Sequence, residues 1–367
     1  MLAPGSRVIV AMSGGVDSAV AAARLVDEGY DVIGVTLHLW DYPDEGEAGS
    51  HARCCAPEDQ YDARRTADAL GIPHYTFDRR ALFHASVVEP FVTAYLAGET
   101  PSPCTACNRG VKLGELFRIA DRLGASHVAT GHYARVEHDA EGPRLLRGRD
   151  RTKDQSYFLY ATPPEQLARL VFPLGDATKV EVRAEAVARG LPGATKGESQ
   201  ELCFVGSGAA RYAAFVEARA EGRVRPGPIV DEAGRVVGSH GGIHRFTIGQ
   251  RKGLGVALGE PAFVARIDAE SATVHLSRGS GLGAGGAEVE DVILSPGVPA
   301  VFTAEVQVRY RHDGEAATVS VDGRRGVVRF GQPVRAITRG QVAVFYEGSR
   351  VLGGGRIQRA MGAPHEA

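Results

Sequence analysis

Six residues, Ser13-Gly14-Gly15-Val16-Asp17-Ser18, separate an apolar, β-branched run, Arg7 to Met12, from a segment with helical spacing, Ala19 to Glu28. A strand that turns through glycines into a helix must bury its strand in a sheet. Its next strand then returns parallel. The turn also carries chemistry. Glycine lets the backbone approach a phosphate closely, and successive N–H groups at a helix start form an anion-binding nest. The hydroxyls of Ser13 and Ser18 add donors. The turn lacks the Gly-Lys-Ser/Thr ending of the common P-loop and the Gly-x-Gly-x-x-Gly of a dinucleotide turn.

Alternation continues beyond this turn. Asp31 to Leu39 reads as a second strand, and Pro57 opens a helix with early acids, Glu58 and Asp59, closed by Gly71. His74 to Phe77 is a third strand, Arg109 to Leu123 a helix ended by Gly124, and His127 to Thr130 a fourth strand. Thr178 and Glu181 form a capping box for a helix reaching Arg189. The fold class expected is α/β, a doubly wound parallel sheet of Rossmann-like form. Near residue 222 glycine rises and short β runs replace helices: Ile229-Val230, Ala262 to Ile267, Thr273 to Leu276, Phe302 to Arg309, Ala317 to Val321, Gly326 to Phe330 and Gln341 to Tyr346. These predict two small β-rich domains, the last a barrel. Five glycines in the eight residues Gly279 to Gly286 read as the linker between them. The expected domains are 1–205, 206–282 and 283–367.

With 367 residues the chain can bury several cores, and no apolar run approaches a membrane span. The start leads directly into Val8-Ile9-Val10, which reads as a strand rather than a signal peptide, so a cytoplasmic protein is expected. A net charge of −2 gives no global attraction to nucleic acid. Any RNA contact must come from local patches such as Arg144, Arg147, Arg149, Arg151 and Lys153.

Five cysteines do not make a disulfide scaffold in a chain of this length. Cys104 and Cys107 follow a stiff lead with two prolines, Pro101 and Pro103. Cys107 is expected near a helix start, with Arg109 and Lys112 following, an environment that favours thiolate. The Cys-x-x-Cys spacing also fits half a zinc site or a plain dithiol. No second pair supplies the missing zinc ligands. His51, Cys54 and Cys55 are a poor substitute, and Cys54 and Cys55 read as structural. Cys203 lies in Glu198-Ser199-Gln200-Glu201-Leu202-Cys203-Phe204-Val205.

The first turn resembles the PP-loop of the ATP-pyrophosphatase superfamily, which cleaves ATP to AMP and pyrophosphate. Further segments follow in order: Thr100 to Asn108, Ala129 to Arg135, Lys153 to Leu159, Glu198 to Val205, Phe246 to Gly255, Arg309-Tyr310-Arg311 and Gly340 to Tyr346. Together they resemble the bacterial tRNA-specific 2-thiouridylase family over nearly the whole chain. The resemblance implies that ATP with Mg²⁺ adenylates the C2 oxygen of a wobble uridine, and that sulfur from a cysteine persulfide replaces it. It implies ATP contacts at Ala11, Met12, Ser13, Gly14, Gly15, Val16, Asp17 and Ser18, with Leu37 near the adenine and Gly131 beside the nucleotide. Cys203 would carry the persulfide, and Cys107 would reduce it, freeing sulfide or leaving a Cys107–Cys203 disulfide. Ser102, Pro103 and Cys104 would meet the target base. His132, Lys153, Asp154, Gln155, Arg309, Tyr310 and Gln341 would contact tRNA. A cysteine desulfurase or sulfur carrier would be the donor, with no membrane involved. The chain departs from the family pattern at Cys104, where some members carry Asp, at Ser102, where Asn is common, and at Arg339, where Pro is common.

Three other readings compete. Cys104, Cys107 and Cys203 could ligate a 4Fe-4S cluster whose open iron binds sulfide. The loop could serve a ligase or amidotransferase acting on a small molecule, which leaves Cys107 and Cys203 without a task. A tRNA-binding protein with a vestigial loop is opposed by intact Ser13, Asp17 and Ser18.

Overall fold

The computed structural model describes residues 3–41, 57–194, 196–197, 202–205 and 211–362. His51, Cys54, Cys55 and Glu198 to Glu201 lie outside the described residues. The chain divides into two compact units. The first comprises Met1–Val87, Cys104–Val205 and Ser349–Val351. The second comprises Val88–Pro103, Gly206–Gly348 and Leu352–Ala367.

The first unit is built on a five-stranded sheet. Strand β1 is Arg7–Ala11, helix α1 Val16–Asp27, strand β2 Asp31–His38, helix α2 Pro57–Leu70, strand β3 His74–Asp78 and strand β4 His127–Ala129. A short fifth strand, Leu170–Val171, completes the order β3-β2-β1-β4-(170–171), and every pairing is parallel. β1 lies at the centre, with Val8, Ile9 and Val10 fully buried, as a doubly covered parallel strand requires. Alanines 19 and 21–23 and Leu25 of α1 pack on the same core as Val8 and Val10. Gly29, Gly71 and Gly124 each take positive φ just past a helix end. The Thr178 hydroxyl accepts the Glu181 N–H at 3.3 Å, and the Glu181 carboxylate accepts the Thr178 N–H at 2.7 Å. That reciprocal cap starts the helix Lys179–Ala188.

Two structures within this unit differ from expectation. The helix predicted to begin at Arg109 begins at Pro103, passes through a π-helical stretch, Cys107–Leu113, and continues as Gly114–Leu123. Proline lacks the N–H that a first helical position leaves unbonded, so Pro103 fits there. The run Arg144 to Lys153 was expected to be a basic patch. Part of it belongs instead to a hairpin, Ala134–Asp139 with Gly142–Arg147.

The second unit holds two β assemblies. The smaller is a four-stranded sheet ordered Phe263–Asp268, Thr273–Ser277, Gly227–Val230 and Val236–His240. Ile229, Phe246, Val264 and Val274 form its core. The larger is a six-stranded barrel: Gly283–Leu294, Val301–Gln307, Glu315–Asp322, Arg325–Arg335, Val342–Glu347 and Arg350–Met361. Pairing of its first and last strands closes it and removes the free edges. The glycines read as a linker prove to be mostly strand. A Cβ on Gly286 would lie 2.4 Å from the Val328 carbonyl oxygen, so the close approach of two barrel strands explains that glycine. The helix Glu89–Leu96 joins this unit through aromatic side chains: Phe91 and Tyr95 pack against Tyr212 and Phe215. Among the described residues no helix is long and apolar enough to cross a membrane.

Thr178→Ala removes one half of the capping box. It should cost about 1 kcal/mol and lower the first thermal transition by a few degrees in calorimetry. An unchanged transition would show that tertiary packing alone holds the helix start.

Candidate active site

The loop after β1, Leu37 near the end of β2 and Gly131 just past β4 lie at the carboxyl ends of three adjacent strands. Ligands of open α/β sheets bind at that edge. Ala11 pairs with Val35 and Val10 with Ala129, which sets these segments side by side. Two glycines permit the closeness. Gly14 has φ +75°, and a Cβ on it would lie 2.1 Å from the Asp59 carbonyl oxygen. A Cβ on Gly131 would come within 2.9 Å of the Asp17 carbonyl carbon.

Within the loop, Ser18 is a brace. Its buried hydroxyl accepts the Ser13 N–H at 3.1 Å and donates to the Gly15 carbonyl at 2.9 Å. The Ser13 hydroxyl lies 3.4 Å from it on an exposed residue, where it can reach a ligand. Helix α1 begins after Gly15 with no side-chain cap, which leaves its start to an anion. Met12 and Val16 are buried and Ala11 is half-buried, so Met12 and Val16 can offer a ligand only their backbone.

Asp17 binds inward. Lys179 Nζ donates to both carboxylate oxygens at 2.7 Å, and the Tyr133 hydroxyl donates to Oδ1 at 2.8 Å. Lys179 is 8% exposed. Sequence reasoning missed it, although a signal was present. The Thr178 cap places a lysine at the first position of a helix, where the dipole disfavours a cation. A buried partner explains such a placement.

The residues around 150 prove to be internal supports. Asp154 accepts from the N–H groups of Gly148 at 2.9 Å and Ser156 at 3.1 Å. The Gln155 side chain accepts the Tyr133 N–H at 3.0 Å. The basic run is largely neutralised where it lies. Arg144 pairs with Glu141 at 2.6 Å, buried Arg147 lies 3.7 Å from Asp154, and Arg149 pairs with Glu181 at 3.2 Å. Arg151 is exposed and Lys153 half-buried. His132 Nδ1 lies 2.8 Å from the Thr130 hydroxyl, and its ring meets Phe172 edge-on. Burial, with Lys112 adding repulsion, pushes its pKa down to about 3. His132 is therefore a neutral hydrogen-bonding group.

Cys104 is exposed, Cys107 buried and Cys203 partly buried. With the helix starting at Pro103, Cys104 occupies its first turn and Cys107 the π-helical stretch that follows. π-Bulges recur at functional sites because they break regular helical register. Phe204, beside Cys203, joins Trp40 and Phe83 in an edge-on aromatic triad. The helix Arg80–Phe83 packs against the Cys107–Leu113 stretch. Phe83 thus lies next to the neighbour of one cysteine, while its helix packs on the stretch bearing the other. Among the described residues no three His, Cys, Asp or Glu side chains gather as a metal-holding group.

In the second unit, Arg309 and Arg311 are exposed and Tyr310 half-buried, in a turn after a barrel strand. The Arg311 guanidinium lies 5.7 Å from the Tyr310 ring centre. Gln341 donates to the Thr100 carbonyl at 2.8 Å and the Pro101 carbonyl at 3.3 Å, next to Ser102 and Pro103. The Phe246 to Gly255 motif closes a turn: the Gln250 side chain accepts the Thr247 N–H at 2.9 Å and donates to the Lys252 carbonyl at 3.0 Å.

A parallel sheet whose first strand enters this glycine turn defines a nucleotide-binding α/β domain of the PP-loop kind. Comparison with known proteins agrees. Residues 6–207 match the model described as a tRNA methyl transferase HUP domain, 214–278 a tRNA methyl transferase PRC-barrel domain, and 294–357 an aminomethyltransferase beta-barrel domain. The chain is 65% identical over 365 residues to the tRNA-specific 2-thiouridylase MnmA of Sorangium cellulosum (strain So ce56), covering 97% of this chain and 93% of that protein. It is 48% identical over 358 residues to the protein of the same name from Moorella thermoacetica (strain ATCC 39073 / JCM 9320), covering 95% and 99%. The chain belongs to the tRNA-specific 2-thiouridylase family.

Two measurements test the site. Asp17→Asn and Lys179→Met should each reduce ATP turnover about a hundredfold or more, and the double variant should lose no more than the worse single one, because the two act as a unit. Additive losses would separate them. His132 should also leave a pH signature. Its folded pKa lies below the ordinary 6.5, so the unfolded chain binds the extra proton between about 3 and 6.5. Stability should fall as pH drops through that window, and His132→Gln should flatten the fall. An equally steep fall in the variant would place the cause elsewhere.

Proposed function

We propose that this chain is a tRNA 2-thiouridine synthase that uses ATP to replace the C2 oxygen of a wobble uridine with sulfur. One observation carries the reading: a phosphate-accepting loop and the Cys107 and Cys203 segments occur in the same unit, the cysteine segments linked through Phe83. The methyl-transfer wording of the domain descriptions leaves both features without a task.

A uracil carbonyl oxygen is a poor leaving group. Its attack on the α-phosphorus of ATP forms a C2–O–P bond and expels pyrophosphate. The loop N–H groups and the Ser13 hydroxyl hold the phosphates, and Lys179, with Asp17, fixes the start of α1 that presents them. Mg²⁺ would enter with the triphosphate and offset its charge, while Asp17, turned inward onto Lys179 and Tyr133, orders the loop. Leu37 and Gly131 flank the rest of the nucleotide.

The terminal sulfur of a Cys203 persulfide then attacks C2. Cys107 thiolate attacks the Cys203 sulfur, breaking the S–S bond. The terminal sulfur stays on C2, AMP leaves with the former C2 oxygen, and Cys107 and Cys203 remain as a disulfide. A thiol reductant resets the pair. Buried Cys107 must become accessible during this cycle, since a buried thiol is unreactive. The persulfide sulfur comes from a cysteine desulfurase or a sulfur carrier. The exposure of Cys104 and the burial of Cys107 favour this relay over a shared iron–sulfur cluster.

For tRNA, Ser102, Pro103 and Cys104 line the target base, while neutral His132 and the Arg309-Tyr310 turn meet the RNA. An aromatic ring beside exposed guanidiniums offers stacking and phosphate contact together. Lys153, supported by Asp154 and Gln155, adds a cation. A cytoplasmic location fits a tRNA substrate.

Unmodified tRNA, ATP, Mg²⁺ and a persulfide donor should yield 2-thiouridine, read by mass spectrometry of the digested tRNA. Cys107→Ser and Cys203→Ser should abolish the product yet still release pyrophosphate, and Cys203→Ser should leave the tRNA adenylated. Full thiolation by either variant would refute the relay. AMP formation independent of tRNA, with no thiolated product, would point to a small-molecule substrate.

A further inference from the structure

Residues 99–103 lead directly into Cys104, yet they fold with the second unit. Glu99, 8% exposed, receives Arg356 Nη1 at 2.8 Å and Arg339 Nε at 3.0 Å. The other Arg356 nitrogen pairs with Glu290 on the first barrel strand. The Thr100 N–H donates to the Arg339 carbonyl at 2.9 Å. Gln341 binds the next two carbonyls, those of Thr100 and Pro101. Gly340, at φ +90°, lets this approach occur, because a Cβ there would lie 3.1 Å from both the Glu99 Cβ and the Thr100 carbonyl oxygen.

This pattern has a physical reason. Pro101 and Pro103 have no N–H, so the segment can form no regular backbone ladder of its own. Its free carbonyls need outside donors, and a carboxamide supplies two. Both hydrogens of the Gln341 amide point into these carbonyls, which leaves only its oxygen for other contacts. An oxygen acceptor does not bind phosphate. The two proline rings fix φ, so a displacement imposed at Thr100 is carried stiffly toward Cys104.

We propose that Gln341 and the Glu99–Arg356 ion pair are positioning residues for sulfur transfer. They clamp the proline-rich segment on the barrel and so set where Ser102 to Cys104 present the target base. The inference deepens the proposed function and rests on its assignment of Ser102 to Cys104 to that base. It also reassigns Gln341 from a tRNA ligand to a support of the segment that meets the tRNA.

Gln341→Glu exchanges the donor for an acceptor at constant shape, and Arg356→Met removes the ion pair while keeping the stem. Both are compared with the wild-type protein in three measurements: tRNA affinity across a salt series, AMP formation, and the single-turnover thiolation rate at saturating tRNA. The clamp predicts tRNA affinity within about twofold of wild type and an unchanged salt slope. It predicts a saturating thiolation rate lower by about tenfold or more, because a small misplacement of reacting groups is costly. Arg356→Lys, which restores a single charge contact, should recover part of that rate. If Arg356→Met does not fold, Gln341→Glu carries the test alone. Weaker tRNA binding in Gln341→Glu with an unchanged saturating rate would overturn the proposal and make Gln341 an RNA ligand. Unchanged behaviour in all three measurements would overturn it as well. Wild-type protein that forms no 2-thiouridine would instead remove the underlying functional reading, and the clamp's catalytic role with it.

Discussion

The ion pair between Asp17 and Lys179 is the interaction on which the site in the first unit depends. It joins the first turn of the helix after the glycine loop to the first residue of a helix far along the chain. Tyr133, from the segment after the fourth strand, donates to the same carboxylate. Three segments that each border the carboxyl edge of the sheet are thus fixed by one acid. A preorganised set of donors stabilises developing charge without reorganising at the moment of reaction. The acid's value lies in holding that set still. Acting alone, it would repel the phosphates.

Much of this was legible in the sequence, for physical reasons. The strand, glycine turn and helix around Ser13 to Ser18 are determined locally: β-branched residues before, alanines after, and glycines where φ must be positive or another backbone must approach. The Thr178–Glu181 cap was legible for the same reason. The opposite case is the Arg144 to Lys153 run. Two of its acids, Glu141 and Asp154, stand close by in sequence, but Glu181 lies on a helix that meets Arg149 only in the fold, and no local pattern shows which arginine each acid takes. Lys179 was hidden in the same way. Its partner stands at the other end of the unit in sequence, and only its awkward place at a helix start hinted at it.

The division of the chain was also partly hidden. Residues 88–103 sit between segments of the first unit, but Phe91 and Tyr95 find their aromatic partners on the helix Arg211–Glu217. No local pattern announces a pairing over that separation. The barrel carries the exposed turn at Arg309 to Arg311 and also touches the peptide that enters Cys104. The cysteine-bearing helix therefore begins in one unit and continues in the other.

The central claim is that the C2 oxygen of a uridine is activated by adenylation and leaves with AMP. Isotope tracing tests it most directly. A tRNA carrying oxygen-18 at C2 of the wobble uridine would be thiolated with ATP and a persulfide donor, and the released AMP analysed by mass spectrometry. The account predicts one oxygen-18 in the phosphate of AMP for each sulfur gained by the tRNA. Unlabelled AMP, with the label recovered in water or pyrophosphate, would contradict it.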